Sequence, residues 1–222
     1  MTAARPLALD LFCGAGGASM GLHRAGFDVI GVDLHKQPRY PFPFVQGDAT
    51  KPPLDLASFD FIWASPPCQD YSALKGLSGA KRGRLIPSIR EMLRAGGRPH
   101  VIENVVGAEL RDWFMLCGSA FCLGVRRHRR FEMHPPPVFT PPCSHHLCRE
   151  PIDVTGTGGP FNGIRATPGG GISRKPRNLA HAREAMGIDW MNRRELSESI
   201  PPAYAEFVGR AALEVINRRL AA

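Results

Sequence analysis

The fold is decided at Asp10-Leu11-Phe12-Cys13-Gly14-Ala15-Gly16-Gly17, where a short apolar strand over residues 6–12 runs into a glycine-rich turn. A helix is predicted directly after this turn, over residues 18–25. The same alternation continues downstream, with a helix over residues 86–95 and apolar strands over residues 28–32, 44–48, 59–64 and 99–103. Strands that alternate with helices at this spacing predict an α/β fold, in which helices cover both faces of a parallel sheet.

Acidic residues and glycines follow the predicted strands at their carboxyl ends, where open parallel sheets bind ligands. The turn lacks the last glycine of the pattern G-x-G-x-x-G because Ser19 takes that position, so a nucleotide cofactor without a pyrophosphate fits better. Asp33 ends the second strand, in the place of an acid that binds ribose hydroxyls, and Asp48 suits an adenine amino group. Taken alone, each acid is more often an ordinary strand-end or turn residue.

A rigid corner, Pro66-Pro67-Cys68-Gln69, follows the fourth strand. Two consecutive prolines restrict φ and push the residues before them toward extended backbone, so Cys68 is held just past a strand end. Most isolated cysteines are small buried hydrophobic residues. Here, however, Glu103 and Asn104 end the fifth strand at the same predicted edge of the sheet. A thiol and a carboxyl group in one cleft favour a reactive cysteine.

The chain is basic, with 28 lysines and arginines against 20 acidic residues and a net charge of +8. The densest positive run is Arg126-Arg127-His128-Arg129-Arg130, and the next is Lys81-Arg82-Gly83-Arg84. Such clustering favours a polyanionic partner, while a solvated surface is an equally good interpretation of the second run.

The six cysteines are unevenly spaced and do not form the pattern of a disulfide framework. We see no signal peptide, and no apolar stretch reaches the ~18–20 residues that a membrane span needs. We therefore expect a cytoplasmic protein in a reducing compartment, where Cys68 stays a thiol.

Four motifs, in this order and spacing, closely resemble those of the cytosine-C5 DNA methyltransferase family: Asp-Leu-Phe-Cys-Gly-Ala-Gly-Gly, Pro-Pro-Cys-Gln-x-Tyr-Ser, Glu-Asn-Val and Arg-x-Arg. The likeness runs over residues 8–131 and resumes over residues 180–209. It implies a Rossmann-like methyltransferase sheet with S-adenosylmethionine as the cofactor. It also implies double-stranded DNA as the substrate and no membrane partner. A restriction endonuclease in the same system is a candidate partner. The sequence does not determine the oligomeric state, for which we expect a monomer.

The resemblance also implies a cofactor site. In this site Asp33 binds the ribose and Asp48 binds the adenine. The complete set that the resemblance implies is Phe12, Gly14, Gly16, Asp33, Leu34, Asp48, Ala49 and Pro66.

The implied catalytic residues agree with the chemistry of the reaction. C5 of cytosine is a poor nucleophile until a group adds to C6, and the thiolate of Cys68 is suited to that addition. Glu103 can then relieve the negative charge at N3, provided that its strand-end position raises its pKa. By resemblance, Arg127 and Arg129 hold the base carbonyl and the carboxylate. For Glu103 alone, a structural salt bridge is the alternative.

Substrate contacts are implied for Gln69, Ser72 and Asn104, and Asn104 could also orient the Glu103 carboxyl. Because C6 is inaccessible inside a duplex, the target base must be flipped out into the pocket. A loop over residues 71–84, which carries glycines and basic residues, is expected to close over the DNA.

Three regions are predicted along the chain: a catalytic core over residues 1–132, a small target-recognition insertion over residues 133–178, and C-terminal helices over residues 179–222. The insertion is short and rich in proline and glycine, so the sequence does not predict a target. Two positions depart from the family pattern. Val125 replaces a glutamine near Arg-x-Arg, and Ser197-Glu198-Ser199-Ile200-Pro201-Pro202 replaces the usual Gly-Asn of the closing motif.

A cluster of possible metal ligands lies in the insertion at Cys143, His145, His146 and Cys148. Zinc is the functional interpretation, but a tetrahedral site built from six consecutive residues is sterically awkward. Further ligands could come from Cys117, Cys122 or His134. The sequence alone therefore assigns no metal centre.

Two other functions stay open at this point. One is an RNA cytosine-C5 methyltransferase on the same scaffold, and the other is a catalytically silent DNA-binding or regulatory homologue. Cys68, Glu103 and the Arg-x-Arg motif together argue against the second, because a binding module has no need of all three.

Overall fold

A computed structural model describes residues 4–67, 85–156, 161–167 and 171–220. Its main sheet is built from seven strands: β1 (Leu7–Leu11), β2 (Asp28–Asp33), β3 (Phe44–Gln46), β4 (Phe61–Ala64), β5 (His100–Asn104), β6 (Phe114–Leu116) and β7 (Arg129–His134). Their spatial order is β3-β2-β1-β4-β5-β7-β6. Two further strands, β8 (Ile164–Thr167) and β9 (Gly171–Arg174), form a separate antiparallel hairpin.

Helices cover both faces of this sheet. They are α1 (Gly17–Ala25), α2 (Leu85–Ala95), α3 (Leu179–Met186), α4 (Arg193–Glu198) and α5 (Pro202–Leu220). Apolar residues of α1 and α5 pack with Ala8, Phe61 and Trp63 on one face, whereas those of α2 pack with Leu9 and Ile62 on the other. The predicted α/β fold, in which helices cover both faces of the sheet, is therefore confirmed.

The first five strands run parallel, and the chain changes direction across the sheet between β1 and β4. From β1 the chain proceeds outward to β2 and β3, and it then returns to place β4 and β5 on the other side of β1. Ligands of open α/β sheets bind outside the carboxyl ends of the strands at such a switch point. The glycine turn after β1 and the Pro66 corner after β4 therefore lie next to each other.

The sheet departs from the all-parallel prediction at its far edge. Strand β7 is antiparallel to β5, with Glu103 opposite Phe131, and β6 is antiparallel to β7. Strand β7 was not predicted from the sequence because it has few apolar residues. Only Phe131 and Met133 are apolar, and they alternate with Arg130 and Glu132. Phe131 and Met133 are nevertheless buried, as the period of a half-buried strand requires.

The region over residues 133–178 contains the β8–β9 hairpin and a short 3-10 helix, His145–Leu147. Ile152 bridges to Arg174 of the hairpin, and Val154 joins a third apolar cluster with residues of α3 and α4, including Met186 and Leu196. This part of the chain therefore packs onto the C-terminal helices as well as carrying its glycine- and proline-rich turns.

The longest helix, α5, spans 19 residues and packs closely against α1. Glycines allow this approach, since a Cβ at Gly21 would lie 2.1 Å from the carbonyl oxygen of Pro202 and 2.7 Å from the Cβ of Ala205. A Cβ at Gly209 of α5 would lie 2.8 Å from the Cβ of Ala25 on α1. Within the described residues, no helix combines the length and apolar character needed to cross a membrane.

Gly21→Ala is expected to lower the free energy of unfolding by ~1–3 kcal/mol, because the new methyl group would collide with the α5 backbone. The sign is diagnostic, since the same change in an open helix stabilises by up to ~1 kcal/mol through helix propensity. Urea unfolding followed by circular dichroism measures the difference. Arg24→Ala, at an exposed position of the same helix, is the control, and a Gly21→Ala protein as stable as the wild type would contradict this close packing.

Candidate active site

The turn between β1 and α1 carries three residues with left-handed backbone. Phe12, Gly14 and Gly16 have φ values of 62°, 49° and 86°. A Cβ added at Gly14 would meet no atom within 4 Å, so the backbone borders open space there. Gly16 is the N-cap of α1, whose first backbone N–H groups have no partner within the helix. The turn therefore offers an accessible backbone at the positive end of a helix dipole.

Asp33, at the end of β2, is bound to this turn through its carboxylate. Its Oδ2 accepts a hydrogen bond of 3.0 Å from the backbone N–H of Gly14, and its Oδ1 accepts one of 2.9 Å from His35. The contact with Gly14 joins the turn after β1 to the end of β2, while the contact with His35 is local. The carboxylate is half-buried and lies beside Leu34, whose surface is 60% exposed. An acid next to an exposed apolar side chain suits a nucleoside, whose sugar is polar and whose base is apolar on its faces.

Asp48 and Ala49 follow β3 at the same edge of the sheet. Asp48 is exposed, and its Oδ1 accepts hydrogen bonds from the backbone N–H and hydroxyl of Thr50, at 2.8 and 2.7 Å. These bonds hold the pKa of Asp48 below its ordinary value. Ala49 is 2% exposed and packs in the apolar cluster beneath. Asp48 therefore stands as an ionised acceptor at the surface, while Ala49 belongs to the core.

Asp10, the first residue of the glycine-turn motif, is completely buried. Its Oδ2 accepts a short hydrogen bond from the hydroxyl of Ser19 on α1, which in turn lies 2.7 Å from the hydroxyl of Tyr40. Among the described residues, Oδ1 of Asp10 has no hydrogen-bond partner. Burial raises the pKa of Asp10 to about 7, with smaller contributions from the charges of Asp33 and Glu103. An unpaired buried acceptor of this kind suits a cationic or hydrogen-bond-donating group.

The C-terminal segment closes over the glycine turn. The indole N–H of Trp190 donates a hydrogen bond of 2.7 Å to the carbonyl of Ala15. A Cβ at Gly17 would lie 2.0 Å from Oγ of Ser199 and 2.6 Å from the carbonyl oxygen of Ile200. The divergent closing motif therefore packs directly on the first turn of α1, and only a glycine fits at position 17.

Glu103 ends β5 inside the protein, with 6% of its surface exposed. Its Oε1 lies 3.1 Å from Nε of Arg129, and the Ser65 hydroxyl hydrogen-bonds to the carboxyl group. Ser65 also accepts a hydrogen bond of 2.8 Å from the indole N–H of Trp63. Burial raises the pKa of Glu103 above its ordinary value, although Arg129, Ser65 and Arg127 oppose this rise. The environment therefore favours the protonated carboxyl more than water does.

Asn104 connects the end of β5 to the Pro66 corner. Its side-chain amide donates a hydrogen bond of 2.8 Å to the carbonyl of Pro66, and its Oδ1 accepts one of 2.9 Å from the backbone N–H of Val105. Both Asn104 and Pro66 are buried. Each end of this amide is thus engaged with backbone, which places the corner against the strand that carries Glu103.

The two arginines of the Arg-x-Arg motif make different contacts. Arg129 pairs with Glu103, and it also donates a hydrogen bond of 2.9 Å to the carbonyl of His128. Arg127 has a φ of 34° and donates a hydrogen bond of 2.7 Å to the carbonyl of Ser197 at the end of α4. The hydroxyl of Tyr204 on α5 lies 3.0 Å from the carbonyl of Arg127. In this geometry Arg129 serves the carboxylate, while Arg127 ties the motif to the C-terminal helices.

Several of the predicted residues lie outside the described part of the chain. They are the proposed nucleophile Cys68, the substrate candidates Gln69 and Ser72, and the loop over residues 71–84. The described chain reaches Pro67, whose neighbour Pro66 is held by Asn104.

The metal-ligand candidates separate into two groups. Cys143 and His145 lie beside Cys117 and His128, and the ligand atoms of these four residues are all within 4.8 Å of one another. Within the described ranges, His146 and Cys148 contribute no atom to this group, and neither do Cys122 and His134. His128 was not predicted as a metal ligand because it lies within the arginine-rich run of residues 126–130.

Sequence reasoning assigned no role to Asp10, Ser65 or Trp190, which all contact the site. A signal was present for Asp10, since a carboxylate inside the apolar strand Leu7–Leu11 is costly to bury without a purpose. Ser65 and Trp190 carry no such signal, because their partners are distant in sequence or belong to another strand.

Two solved structures share this fold over nearly the entire chain. A putative DNA modification methyltransferase encoded within an E. coli prophage has a TM-score of 0.62 and 17% identity, covering 96% of this chain and 99% of that one. The Dnmt2 methyltransferase of S. pombe has a TM-score of 0.61 and 13% identity, covering 96% of this chain and 100% of that one. At these identities the likeness establishes the fold, which is the α/β fold of methyltransferases.

Comparison of sequences indicates which kind of methyltransferase this chain is similar to. Residues 8–111 match the model of the C-5 cytosine-specific DNA methylase family. The Type II methyltransferase M.HgiCI of Herpetosiphon aurantiacus is 37% identical over 121 residues, which are 47% of this chain and 28% of that protein. A probable DNA (cytosine-5)-methyltransferase of Frog virus 3 is 34% identical over 92 residues, 41% of this chain and 42% of that protein. The match to this family model covers residues 8–111 of the 222-residue chain, and the chain aligns with less than half the length of these two relatives.

The buried carboxyl of Asp10 predicts a pH dependence of stability. Because its pKa is raised to about 7 on folding, the stability it contributes is complete below the unfolded pKa of ~3.9 and is lost as the pH rises through 7. The loss is on the order of 4 kcal/mol across that window. Urea unfolding of the wild type should therefore show a declining free energy of unfolding from pH 4.5 to 7.5, and Asp10→Asn should remove most of the decline.

Asp28→Asn is the control for this measurement, because the Asp28 side chain is 61% exposed and lies outside the site. It should retain the wild-type slope. An Asp10→Asn protein with the slope of the wild type would exclude Asp10 as its source.

Proposed function

We propose that this chain is an enzyme, a DNA cytosine-C5 methyltransferase that uses S-adenosylmethionine. The match of residues 8–111 to the C-5 cytosine-specific DNA methylase model supports the reaction type. The observation that carries the proposal is the buried carboxyl of Glu103, paired with Arg129 and connected through Asn104 to the corner that leads into Cys68. A structural salt bridge alone would not require this connection to the corner.

Cys68 acts as the nucleophile in this mechanism. Its thiolate adds to C6 of the target cytosine, and the electron pair of the C5–C6 double bond becomes available at C5. After the methyl group has been added, the proton on C5 leaves to water and the Cys68 thiolate is released as the double bond re-forms. The two prolines before Cys68 limit the backbone's freedom, and the Asn104 contact to Pro66 fixes where the corner begins.

Glu103 supplies a proton or hydrogen bond to N3 of the cytosine during the addition. Burial raises its pKa, so the carboxyl retains its proton to higher pH than a carboxyl in water does. When N3 draws on that proton, Arg129 at 3.1 Å stabilises the carboxylate that forms. Burial thus favours the protonated carboxyl as a donor, and Arg129 opposes the rise in its pKa and stabilises the carboxylate.

The residues at the ends of β1, β2 and β3 fit S-adenosylmethionine, which supplies a methyl group on a sulfonium sulfur. Asp33 offers carboxylate oxygens for ribose hydroxyls, and Leu34 offers an exposed apolar surface for the adenine ring. Gly14 leaves open space beside the backbone, and Asp10 carries an unpaired acceptor that suits the ammonium group of the amino acid portion. We infer that Phe12, Gly16, Asp48 and Pro66 complete this site, with Ala49 beneath it.

The substrate we propose is double-stranded DNA with the target cytosine flipped out of the helix, because its C6 is otherwise inaccessible. The basic run Arg126–Arg130 borders the site, which favours a polyanion. We infer that Gln69, Ser72 and Asn104 contact the base or its backbone and that residues 133–178 contact the flanking DNA. Relatives named Type II methyltransferases favour a partner restriction endonuclease.

One assay tests the reaction and its substrate together. The protein is incubated with methyl-labelled S-adenosylmethionine and either duplex DNA or tRNA, and the digested nucleosides are then separated. We expect label in 5-methyldeoxycytidine from DNA. Label only in 5-methylcytidine from tRNA would replace DNA by RNA as the substrate, and no label in either would favour a catalytically silent homologue.

Cys68→Ser should abolish methylation, because a hydroxyl is a far weaker nucleophile toward C6 than a thiolate. Binding of S-adenosylmethionine, measured by calorimetry, should stay close to that of the wild type. Near-wild-type methylation by Cys68→Ser would rule out the covalent mechanism.

Glu103→Gln should lower kcat by ~100-fold or more, because the amide keeps the size of the carboxyl but cannot deliver a proton. KM for DNA is expected to change much less. Glu91→Gln, an exposed change on α2, is the control, and an unaltered kcat for Glu103→Gln would remove Glu103 from the catalytic set.

A further inference from the structure

Four side chains with metal-binding atoms meet next to the Arg-x-Arg motif, although they come from three separate parts of the chain. Cys117 follows β6, His128 precedes β7, and Cys143 and His145 belong to the region beyond β7. Their ligand atoms all lie within 4.8 Å of one another. We call these four residues the Cys2His2 cluster.

The distances within the Cys2His2 cluster match those around a tetrahedral metal ion. Nε2 of His128 lies 3.2 Å from Nε2 of His145, while the sulfur–nitrogen distances are 3.4 Å for Cys117–His145 and 3.5 Å for Cys143–His128. A zinc ion ~2.0–2.1 Å from nitrogen and ~2.3 Å from sulfur places two tetrahedral nitrogens ~3.4 Å apart, and a nitrogen and a sulfur ~3.6 Å apart. A central ion therefore fits with small adjustments.

Hydrogen bonds alone explain the positions of these four side chains less well than a bound metal ion does. Each Nε2 has a single position in the ring plane, which holds either one proton or one lone pair. Nε2 of His145 is nonetheless close to both Cys117 and His128, and Nε2 of His128 is also close to Cys143. Three contacts thus share two nitrogens, whereas one cation at the centre satisfies all four ligands at once.

We propose that Cys117, His128, Cys143 and His145 bind one zinc ion. Two thiolates and two imidazoles are a ligand set that zinc prefers, and four protein ligands leave no open position for a water or a substrate. The site is therefore structural. Its ligand spacing explains why the sequence did not predict the complete set, since Cys143 and His145 are separated by one residue and the other two ligands lie well upstream.

A second layer of contacts holds the ligands in place. The hydroxyl of Ser119 lies 3.1 Å from Sγ of Cys117 and accepts a hydrogen bond of 3.0 Å from the backbone N–H of Ser144. It thereby joins the loop that carries Cys117 to the loop that carries Cys143 and His145. The rings of His128 and His145 are inclined at 67°, so their nitrogens approach a common point from different directions. Such outer contacts orient the ligands of metal sites.

Because His128 is next to Arg129, a zinc ion bound to His128 would also affect the active site. His128 is the central residue of Arg-x-Arg, directly before the arginine that pairs with Glu103. The ion would fix the start of β7 to β6 and to the inserted region, and so would hold Arg129 in position. This consequence rests on the proposed function, whereas the presence of the ion does not.

Counting zinc in matched variants tests the site. Protein purified without a histidine tag is stripped with a chelator, incubated with excess zinc, dialysed and analysed by plasma mass spectrometry. We expect close to one zinc per chain for the wild type, and for His146→Gln and Cys148→Ser, whose side chains lie outside the cluster. His145→Gln and Cys143→Ser, each matched to one of these controls, should lose most of the zinc.

Cobalt reconstitution of the wild type keeps the test decisive if the ligand variants fail to fold. Co²⁺ bound by two thiolates and two imidazoles should give the strong visible bands of tetrahedral cobalt and a near-ultraviolet thiolate charge-transfer band. Folded wild-type protein that takes up neither metal would overturn the proposal, as would a Cys117–Cys143 disulfide in protein isolated under thiol-blocking conditions. Methylation by zinc-free protein is then measured separately, and its loss or retention bears only on the consequence for Arg129.

Discussion

The contact between Arg129 and Glu103 is the interaction on which the rest of the site depends. Both side chains are largely buried, at 17% and 8% exposure, and neither charge would be tolerated there without a partner. The pair requires that β7 be antiparallel to β5, because only then does the first residue of β7 lie at the carboxyl ends of the parallel strands. If β7 were parallel to β5, Arg129 would lie at the amino ends of the parallel strands, away from Glu103. The antiparallel direction of β7 thus brings the Arg-x-Arg motif to the candidate active site.

Acidic groups gather at that same edge, and their charges influence one another. Asp10 is buried, and the charges of Asp33 and Glu103 add to the burial that raises its pKa. Arginine charge compensates Glu103, while backbone N–H groups satisfy Asp33. Asp10 has the hydroxyl of Ser19 on one oxygen, and the other oxygen has no partner among the residues described. A cationic ligand would be attracted to this edge, which agrees with the sulfonium and ammonium charges of the proposed cofactor.

Most of the parallel core could be predicted from the sequence because its elements are local. Strand β4 is a continuous apolar run whose four residues are completely buried, and α2 matches the helix predicted over residues 86–95 to within one residue. Strand β7 escaped prediction since arginines and a glutamate occupy its polar face. Of the four proposed zinc ligands, only His128 was not predicted, because it lies within a basic run and the ligands come from three separate parts of the chain.

The candidate reacting groups, the glycine turn and the alternation of strands and helices along the chain are determined by short stretches of residues, where local backbone preferences and apolar periodicity act over a few positions. Which side chains meet is a different matter. Glu103 with Arg129, Asn104 with Pro66, and Trp190 with Ala15 join residues that are distant along the chain. Their approach is set by strand register, by the reversal of β7 and by helix packing through glycines such as Gly21, and these emerge only when the entire core is packed.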